Sequence, residues 1–450
     1  MRDMTVGPAQ GHLWRYALPI VLGNWMQLAY NAVDSMIAGR FIGKEALAAE
    51  GIAAPVMNLM ILAVSGLCIG AGVLMSEYFG AGKWEKLRQS LATMLLFGAL
   101  VSVGTAAVCA TLSPVLLRAM DVPPEIFEMT VVYLKITFLG LPFTFFYNAL
   151  SAGLKSVGDS KTPLKFLAFS AVLNAVLDLI FLGGFGFGIV CSAVTTVAAE
   201  ACSAVLSAGY LVCKTKALCP TRQQWRIERK MLGKILSYGG PTALQQAAQP
   251  IGKVLIQGQV NGLGVTTIAA FQTVTKVDDF ACIPEQGIAA AISTYVAQNR
   301  GAGKPERIHK GFFAGLRLEV CYWILIGTVT FFFREPIVSL FVAGAEADEV
   351  VRLGSRYLLF MAAFYLFPAF TNGFQGFFRG MGKMGTTICG TVIQISVRTV
   401  CTYLLAPAMG IVGIAFSCAI GWSVMLLFEV PYYFYGVARG RTKGARWNIF

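Results

Sequence analysis

Asn174 and Asp178 stand one helical turn apart on one face of an apolar segment that runs from about residue 163 to residue 183. A carboxylate there costs roughly 2.5 to 3.5 kcal/mol on insertion into hydrocarbon, so it normally faces a bundle interior or a wet cavity and marks a route for ions or substrate. Asp34 lies near the end of the first apolar segment, and Thr195 and Thr196 lie early in the sixth. Two carboxyls held close in an apolar bundle repel each other and lose hydration, which suits them to hold a proton or a small cation between them. Asp34, Asn174 and Asp178 are therefore candidate proton or sodium ligands, Thr195 and Thr196 stand at a similar depth, and Glu200, on the face of Thr196, and Asn148 are candidate extensions of the site. A plainer reading makes Asp34 and Asp178 polar ties between helices. Pro19, fifteen residues before Asp34, removes a backbone hydrogen bond and is a candidate hinge of the first segment.

Such residues need a membrane around them, and the composition supplies it. The chain is 56% hydrophobic and only 13% charged, and apolar runs of about 20 residues recur along it, the length a bilayer-crossing helix needs. The pattern predicts an all-α polytopic membrane protein with twelve transmembrane helices, near residues 14–38, 47–78, 87–112, 126–152, 163–183, 187–212, 233–258, 265–298, 311–333, 350–378, 386–406 and 410–436. Residues 1–13 lack the pattern of a cleaved signal, so the segment from Trp14 reads as a retained span. An even number of spans puts both termini on one side. The loops on that side carry most of the net charge of +13, among them Lys83, Lys86, Arg88, Lys155, Lys161, Arg300, Lys304, Arg379 and Lys383, with Arg439, Arg441, Lys443 and Arg446 in the tail. The opposite loops carry only Arg40, Lys44, Arg118 and Arg334. The asymmetry predicts a multi-pass protein of the cell membrane with both termini cytoplasmic, and it accounts for the basic balance without a nucleic-acid partner. Eleven cysteines are scattered without CxxC spacing, so neither a disulfide framework nor a cysteine metal site is expected.

An internal repeat organises the spans. Gly80-Ala81-Gly82-Lys83 recurs as Gly301-Ala302-Gly303-Lys304, Ile42-Gly43 as Leu263-Gly264, Asn148 with Lys155 and Gly158 as Asn372 with Arg379 and Gly382, and Gly188-Ile189-Val190 as Gly410-Ile411-Val412. Each half holds six spans, so the copies run parallel, related by a pseudo-twofold axis along the membrane normal. The expected division is a six-helix lobe at 1–212, a basic amphipathic cytoplasmic linker at 213–232, a second six-helix lobe at 233–436 and a basic cytoplasmic tail at 437–450. The repeat sets Asn174 and Asp178 opposite Arg398 and Thr402, so the acidic site belongs to the first lobe. In the second lobe Lys253, Lys276, Asp278, Asp279, Glu285 and Arg398 read as an internal ion-pair network, with Arg398 paired to an acid of the eighth span.

The chain resembles the multidrug and toxic compound extrusion (MATE) exporters over essentially its whole length. The resemblance rests on Ala17-Leu18-Pro19, Asn31-Ala32-Val33-Asp34, the Gly-Ala-Gly-Lys turn, the stretch from Asn148 to Pro163, and Asn174 to Asp178. It is closest to the DinF-like branch, where the positions of Asp34, Asn174, Asp178 and Thr196 form a first-lobe cation or proton site and that of Pro19 is where the first span bends. The NorM-like branch uses second-lobe acids, whose positions hold Gln249 and Pro368 here. The resemblance implies a secondary antiporter that exports amphipathic, often cationic drugs or toxic organic compounds by alternating access. It implies no cofactor beyond the coupling ion, a proton or sodium, with small organic substrates and the bilayer as partners of a monomer. A flippase for lipid-linked saccharide or peptidoglycan precursors shares the general plan, and Arg398 and Lys253 are what such an anion carrier would use. An intramembrane aspartyl protease built on Asp34 and Asp178 is the remote alternative. The chain has no Gly-x-Gly-Asp setting, P-loop or HExxH pair, so no enzyme is expected.

Overall fold

In a computed structural model, which describes residues 2–342 and 347–442, the chain folds into thirteen α-helices. They are α1 (Ala9–Phe41), α2 (Lys44–Gly80), α3 (Trp84–Ala119), α4 (Pro124–Ser156), α5 (Lys161–Asp178), α6 (Ile189–Lys214), α7 (Arg229–Asn261), α8 (Val265–Gly301), α9 (Pro305–Ser339), α10 (Ala347–Phe364), α11 (Leu366–Gly380), α12 (Met384–Met409) and α13 (Ile411–Thr442). A π-helical turn at Leu179–Gly184 continues α5. Helices α10 and α11 are one expected span bent by 46° at Tyr365. Pro368 causes the break: it cannot donate to the carbonyl of Phe364, and its ring crowds that carbonyl.

The pieces therefore form the twelve rods expected from the hydropathy pattern, and the protein is an all-α polytopic membrane protein. By length and apolar composition, eight described helices qualify as spans, or nine with the bent pair. Helices α1, α7 and α8 have the length, at 33, 33 and 37 residues, but carry polar and charged side chains such as Asp34, Lys253 and Asp278. Their polarity is the first sign of where the chemistry lies.

The repeat is visible in backbone detail. Helices α2 and α8 are both 37 residues long. Each ends in a Gly-Ala-Gly-Lys turn whose second glycine is left-handed, φ 67° at Gly82 and 68° at Gly303, a conformation that a side chain disfavours. The same turn bonds close both copies: Lys83 N–H donates to Tyr78 O at 2.9 Å, and Lys304 N–H to Asn299 O at 3.0 Å.

By its internal contacts the chain divides into two compact units, residues 2–247 with 294–308, and 248–293 with 309–442. Their boundaries fall inside α7 and α8 rather than at the linker, because the ends of these helices pack closely on α2. A Cβ at Gly70 would lie 2.5 Å from Gly239 Cα, and one at Gly80 would lie 1.9 Å from Gln298 O. Arg300 pairs with Glu77 beside this contact, and its Nη2 donates to Tyr238 Oη at 3.0 Å. The amino-terminal segment is fastened to the same region: Met4 N–H donates to Gln298 Oε1 at 3.0 Å and Met4 O accepts from Arg307 at 3.0 Å. Within this unit α4 packs on α2, α3 and α6, and α5 packs on α1 and α6. In the other unit α13 packs on α10, α11 and α12 around a core that includes Tyr357, Met361, Ile414 and Cys418.

The basic linker expected between α6 and α7 is built of two short 3-10 turns, Lys216–Leu218 and Arg222–Gln224, held down by burial of Leu218 and by Gln89 donating to Arg226 O at 3.0 Å. The tail expected from residue 437 begins inside α13, while Lys443 and Arg446 lie outside the described residues.

Replacing Gly80 by Ala should force α2 away from Gln298, and overpacking of this kind costs about 1 to 3 kcal/mol. The thermal unfolding midpoint in detergent should fall, whereas Gly233→Ala, where a Cβ meets open space, should leave it in place. Equal midpoints for Gly80→Ala and wild type would contradict this packing.

Candidate functional site

Five helices of the first unit bring acidic and hydroxyl side chains to one place. Asp34 comes from α1, Glu50 from α2, Tyr133 from α4, Asn174 and Asp178 from α5, and Ser192, Thr195, Thr196 and Glu200 from α6. Asp178 is the last residue of α5 before the π turn, which widens the helix where its side chain turns inward; π turns often mark functional positions. Asn174, Asp178 and Ser192 are each 1% exposed, Thr195 3% and Glu50 7%, so five of these polar groups are buried.

The central contact is between the two aspartates. Asp34 and Asp178 are within hydrogen-bond reach of each other when one carries a proton. When both are ionised, Asp34 Oδ1 and Asp178 Oδ2 are buried without a donor. One proton between them, or one small cation, removes both the repulsion and the missing partner. Asn174 is in reach of Asp178 through its amide, donates to Thr196 Oγ1 at 3.4 Å, and leaves its own Oδ1 without a donor. That oxygen has a lone pair left to offer.

Thr195 makes the site responsive. Its hydroxyl faces Asp178 Oδ1 and two carbonyls of its own helix, Cys191 O at 3.0 Å and Ser192 O at 2.8 Å. A hydroxyl has one proton to give and can also accept. It donates to Asp178 when that carboxyl is ionised, and turns its proton to the helix carbonyls when Asp178 is protonated and donates instead. No rearrangement of heavy atoms is required.

Two further carboxyls stand beside the pair. Ser192 donates to Glu50 Oε1 at 3.4 Å, and Glu50 lies within electrostatic range of both Asp34 and Asp178. Thr144 donates to Glu200 Oε2 at 2.7 Å, which turns Glu200 toward α4. Tyr30, one turn before Asp34, is in reach of Thr196 and of the charges of Asp34, Glu200 and Asp178. Asp34, Asn174, Asp178 and Thr196 are thus brought together, with Glu200 at the margin. Asn148 donates to Thr144 O at 2.8 Å on its own helix, so its link to the site runs through Thr144. Pro19 lies inside an uninterrupted α1.

Glu50, Tyr30, Tyr133 and Ser192 escaped the sequence reading. Glu50 carried a usable signal, an acid just inside the second apolar run, like Asp178 in the fifth. The two tyrosines carried none, since aromatic residues are common on any membrane helix.

The second unit departs from the expected network. Lys253 pairs with Asp279 at 2.6 Å on an exposed surface. Asp278 accepts from Tyr357 at 2.7 Å and Tyr365 at 2.6 Å, which fastens α8 to the bent pair α10 and α11. Arg398 lies in the field of Asp278, Tyr357 and Cys418 but forms no ion pair among the described residues, and its Nε is unpartnered. Two tyrosine hydroxyls thus occupy Asp278, one of the acids of the eighth span expected to pair with Arg398. Gln249 is exposed and Pro368 is buried, and neither supplies a carboxylate.

Fold and site together define a polytopic, internally duplicated membrane protein with a carboxylate pair in its first half, Asp178 buried and Asp34 half-buried. The MatE family model matches residues 19–180 and 241–404, once in each half, and the chain belongs to this family, the MATE membrane transporters. It is 27% identical over 438 residues to a protein of Bacillus subtilis named probable multidrug resistance protein YpnP, covering 96% of this chain and 97% of that one. It is 23% identical to a Shewanella oneidensis protein named FAD transporter, covering 85% of each. Among solved structures, a MATE crystallised in complex with MaL6 superposes with a TM-score of 0.92 at 20% identity, covering 98% of this chain and 99% of that one.

Thr195→Val keeps the side-chain shape but removes the hydroxyl that serves Asp178. A buried polar group left without its partner costs about 1 to 3 kcal/mol, so the thermal midpoint should fall and Thr195→Ser should restore it. A valine variant as stable as wild type would show that the hydroxyl does not support the carboxylate.

Proposed function

We propose that this protein is an ion-coupled exporter of amphipathic, often cationic organic molecules, and that Asp34 and Asp178 carry the coupling ion. The observation that carries the reading is the facing pair of carboxylates with unpartnered inner oxygens, set among Asn174, Thr195, Thr196 and Glu50. A site that is complete only with one positive charge bound is what exchange of a proton or sodium ion against an organic substrate requires. The absence of an acid at Gln249 and Pro368 supports the DinF-like rather than the NorM-like form of coupling.

The reading extends to transport geometry. The duplicated six-helix halves act as two lobes that alternate access to the two sides, with both termini in the cytoplasm and Pro19 the point at which α1 bends. The chain works as a monomer, in the cell membrane, without a cofactor, and not as an enzyme. The substrate class is drawn from relatives named as multidrug resistance proteins. The relative named as an FAD transporter makes an anionic flavin a sensible member of the substrate panel.

In proteoliposomes, ethidium transport should be driven by an imposed pH gradient alone or by a sodium gradient alone. Asp34→Asn and Asp178→Asn should each reduce gradient-driven transport at least about tenfold, equivalent to about 1.4 kcal/mol of lost driving or barrier free energy, while folded protein still reaches the membrane. Gln249→Ala should transport like wild type. Gradient-driven transport at wild-type rates in both aspartate variants would remove the pair from the mechanism.

A further inference from the structure

The second unit holds another pair of buried carboxyls that the first-unit site does not use. Glu285 on α8 and Glu319 on α9 are both 0% exposed. They sit where three helices cross closely over glycines. A Cβ at Gly376 of α11 would lie 2.5 Å from Ala289 O of α8, one at Gly373 would lie 2.5 Å from Leu316 Cδ2 of α9, and one at Gly315 of α9 would lie 2.3 Å from Ile292 Cγ1 of α8. Glu285 is one turn from Ala289, Glu319 is three residues from Leu316, and Asn372 is one turn from Gly376, so the crossing brings all three to one level.

The donors present do not satisfy these acids. Asn372 donates to Glu285 Oε2 at 3.3 Å. Glu285 Oε1 and both carboxylate oxygens of Glu319 are buried without a hydrogen-bond partner, and among the described residues no Lys or Arg pairs with either acid. Glu319 lies in the field of Glu285. The titratable groups facing the pair are Cys282 from α8 and Tyr322 from α9, and Tyr322 donates to Ala281 O at 3.0 Å. From α11 the partner is the Asn372 amide. Two uncompensated carboxylates in such a place are untenable, since even one buried charge without a partner costs several kcal/mol.

We propose that Glu285 and Glu319, with the amide of Asn372, form a second monovalent-cation site, which takes one proton shared between the carboxylates or one sodium ion. Three buried, unpartnered carboxylate oxygens on two neighbouring acids are the coordination that a single positive charge completes. A divalent metal is a poor fit: among the described residues no group of three His, Cys, Asp or Glu side chains could hold one. The Glu285 and Glu319 positions lie outside the Asp34 and Asp178 site, and occupancy here is a property of binding that does not depend on whether the first site couples transport.

The test uses the full chain in lipid nanodiscs with Asp34→Asn and Asp178→Asn together, so that the first pair is silent. Two arms distinguish the ions: titration of the protonated-carboxyl stretch in the infrared from acid to alkaline pH without sodium, and equilibrium binding of radioactive sodium at alkaline pH. The expected result is either a carboxyl band that titrates reversibly or about one sodium bound per protein at saturation, and loss of that signal on adding Glu319→Gln. Glu319→Asp, which keeps the charge on a shorter stem, should retain the signal with weaker sodium binding or a displaced titration, and it serves if the glutamine variant does not fold. A carboxyl band that never responds to pH together with no bound sodium would mean a fixed structural proton, and would overturn the proposal. So would signals unchanged by both Glu319 variants.

Discussion

Two carboxylates cannot stay charged side by side in a membrane interior. At about 4 Å and an effective dielectric near 20, two like unit charges repel by about 4 kcal/mol, before the cost of leaving water is added. Asp34 and Asp178 stand in that situation, with their inner oxygens unpartnered. The surrounding structure keeps them there without neutralising them. The π turn after Asp178 and the hydroxyl of Thr195 provide dipoles, as Ser192 does for neighbouring Glu50, which stabilise but do not cancel charge. A fixed Arg or Lys in that place would supply permanently the charge that the proposed ion exchange needs to be removable. The site is held together by helices and left incomplete in charge.

The two halves share a plan and differ in chemistry. The matched glycine turns at Gly82 and Gly303 and the equal lengths of α2 and α8 show how closely the backbones follow each other. The side chains have diverged on this common frame. Where α5 carries Asn174 and Asp178, α12 carries Arg398 and Thr402. Asp278 is saturated by Tyr357 and Tyr365, so it acts as a brace between α8 and the bent pair α10 and α11. The unsatisfied acids of the second half lie elsewhere, at Glu285 and Glu319. Duplication thus preserves the scaffold that glycine packing dictates, while the acids are free to move to new positions on it.

Much of this was legible in the sequence because membranes make the rules strict. Apolar runs of the right length revealed all twelve rods, the Gly-Ala-Gly-Lys pair revealed the repeat, and the rarity of acids in hydrocarbon pointed to Asp34 and Asp178. Resemblance to the MATE exporters added Thr196 and the weight on Pro19. What stayed hidden depends on distances across the chain. Nothing local to Glu50 says that it meets Ser192, and nothing near Arg398 says that two tyrosines occupy Asp278. The basic residues and Trp225 mark the connector after α6 in the sequence, but not the short irregular path that burial of Leu218 and the bond from Gln89 fix. The start of α7 and the end of α8 group with the first unit because glycines let them approach α2, a feature that no hydropathy pattern encodes.

The central claim is that substrate and coupling ion compete for a charge balance set by Asp34 and Asp178. The most direct measurement is ion release from purified protein in weakly buffered detergent solution when tetraphenylphosphonium is added, read with a pH-indicator dye and, in parallel, with radioactive sodium preloaded on the protein. The account predicts release of one kind of ion by wild type and its loss in both Asp34→Asn and Asp178→Asn, with tetraphenylphosphonium still bound. Binding of tetraphenylphosphonium to wild type with neither proton nor sodium released, or release that persists in both variants, would contradict it.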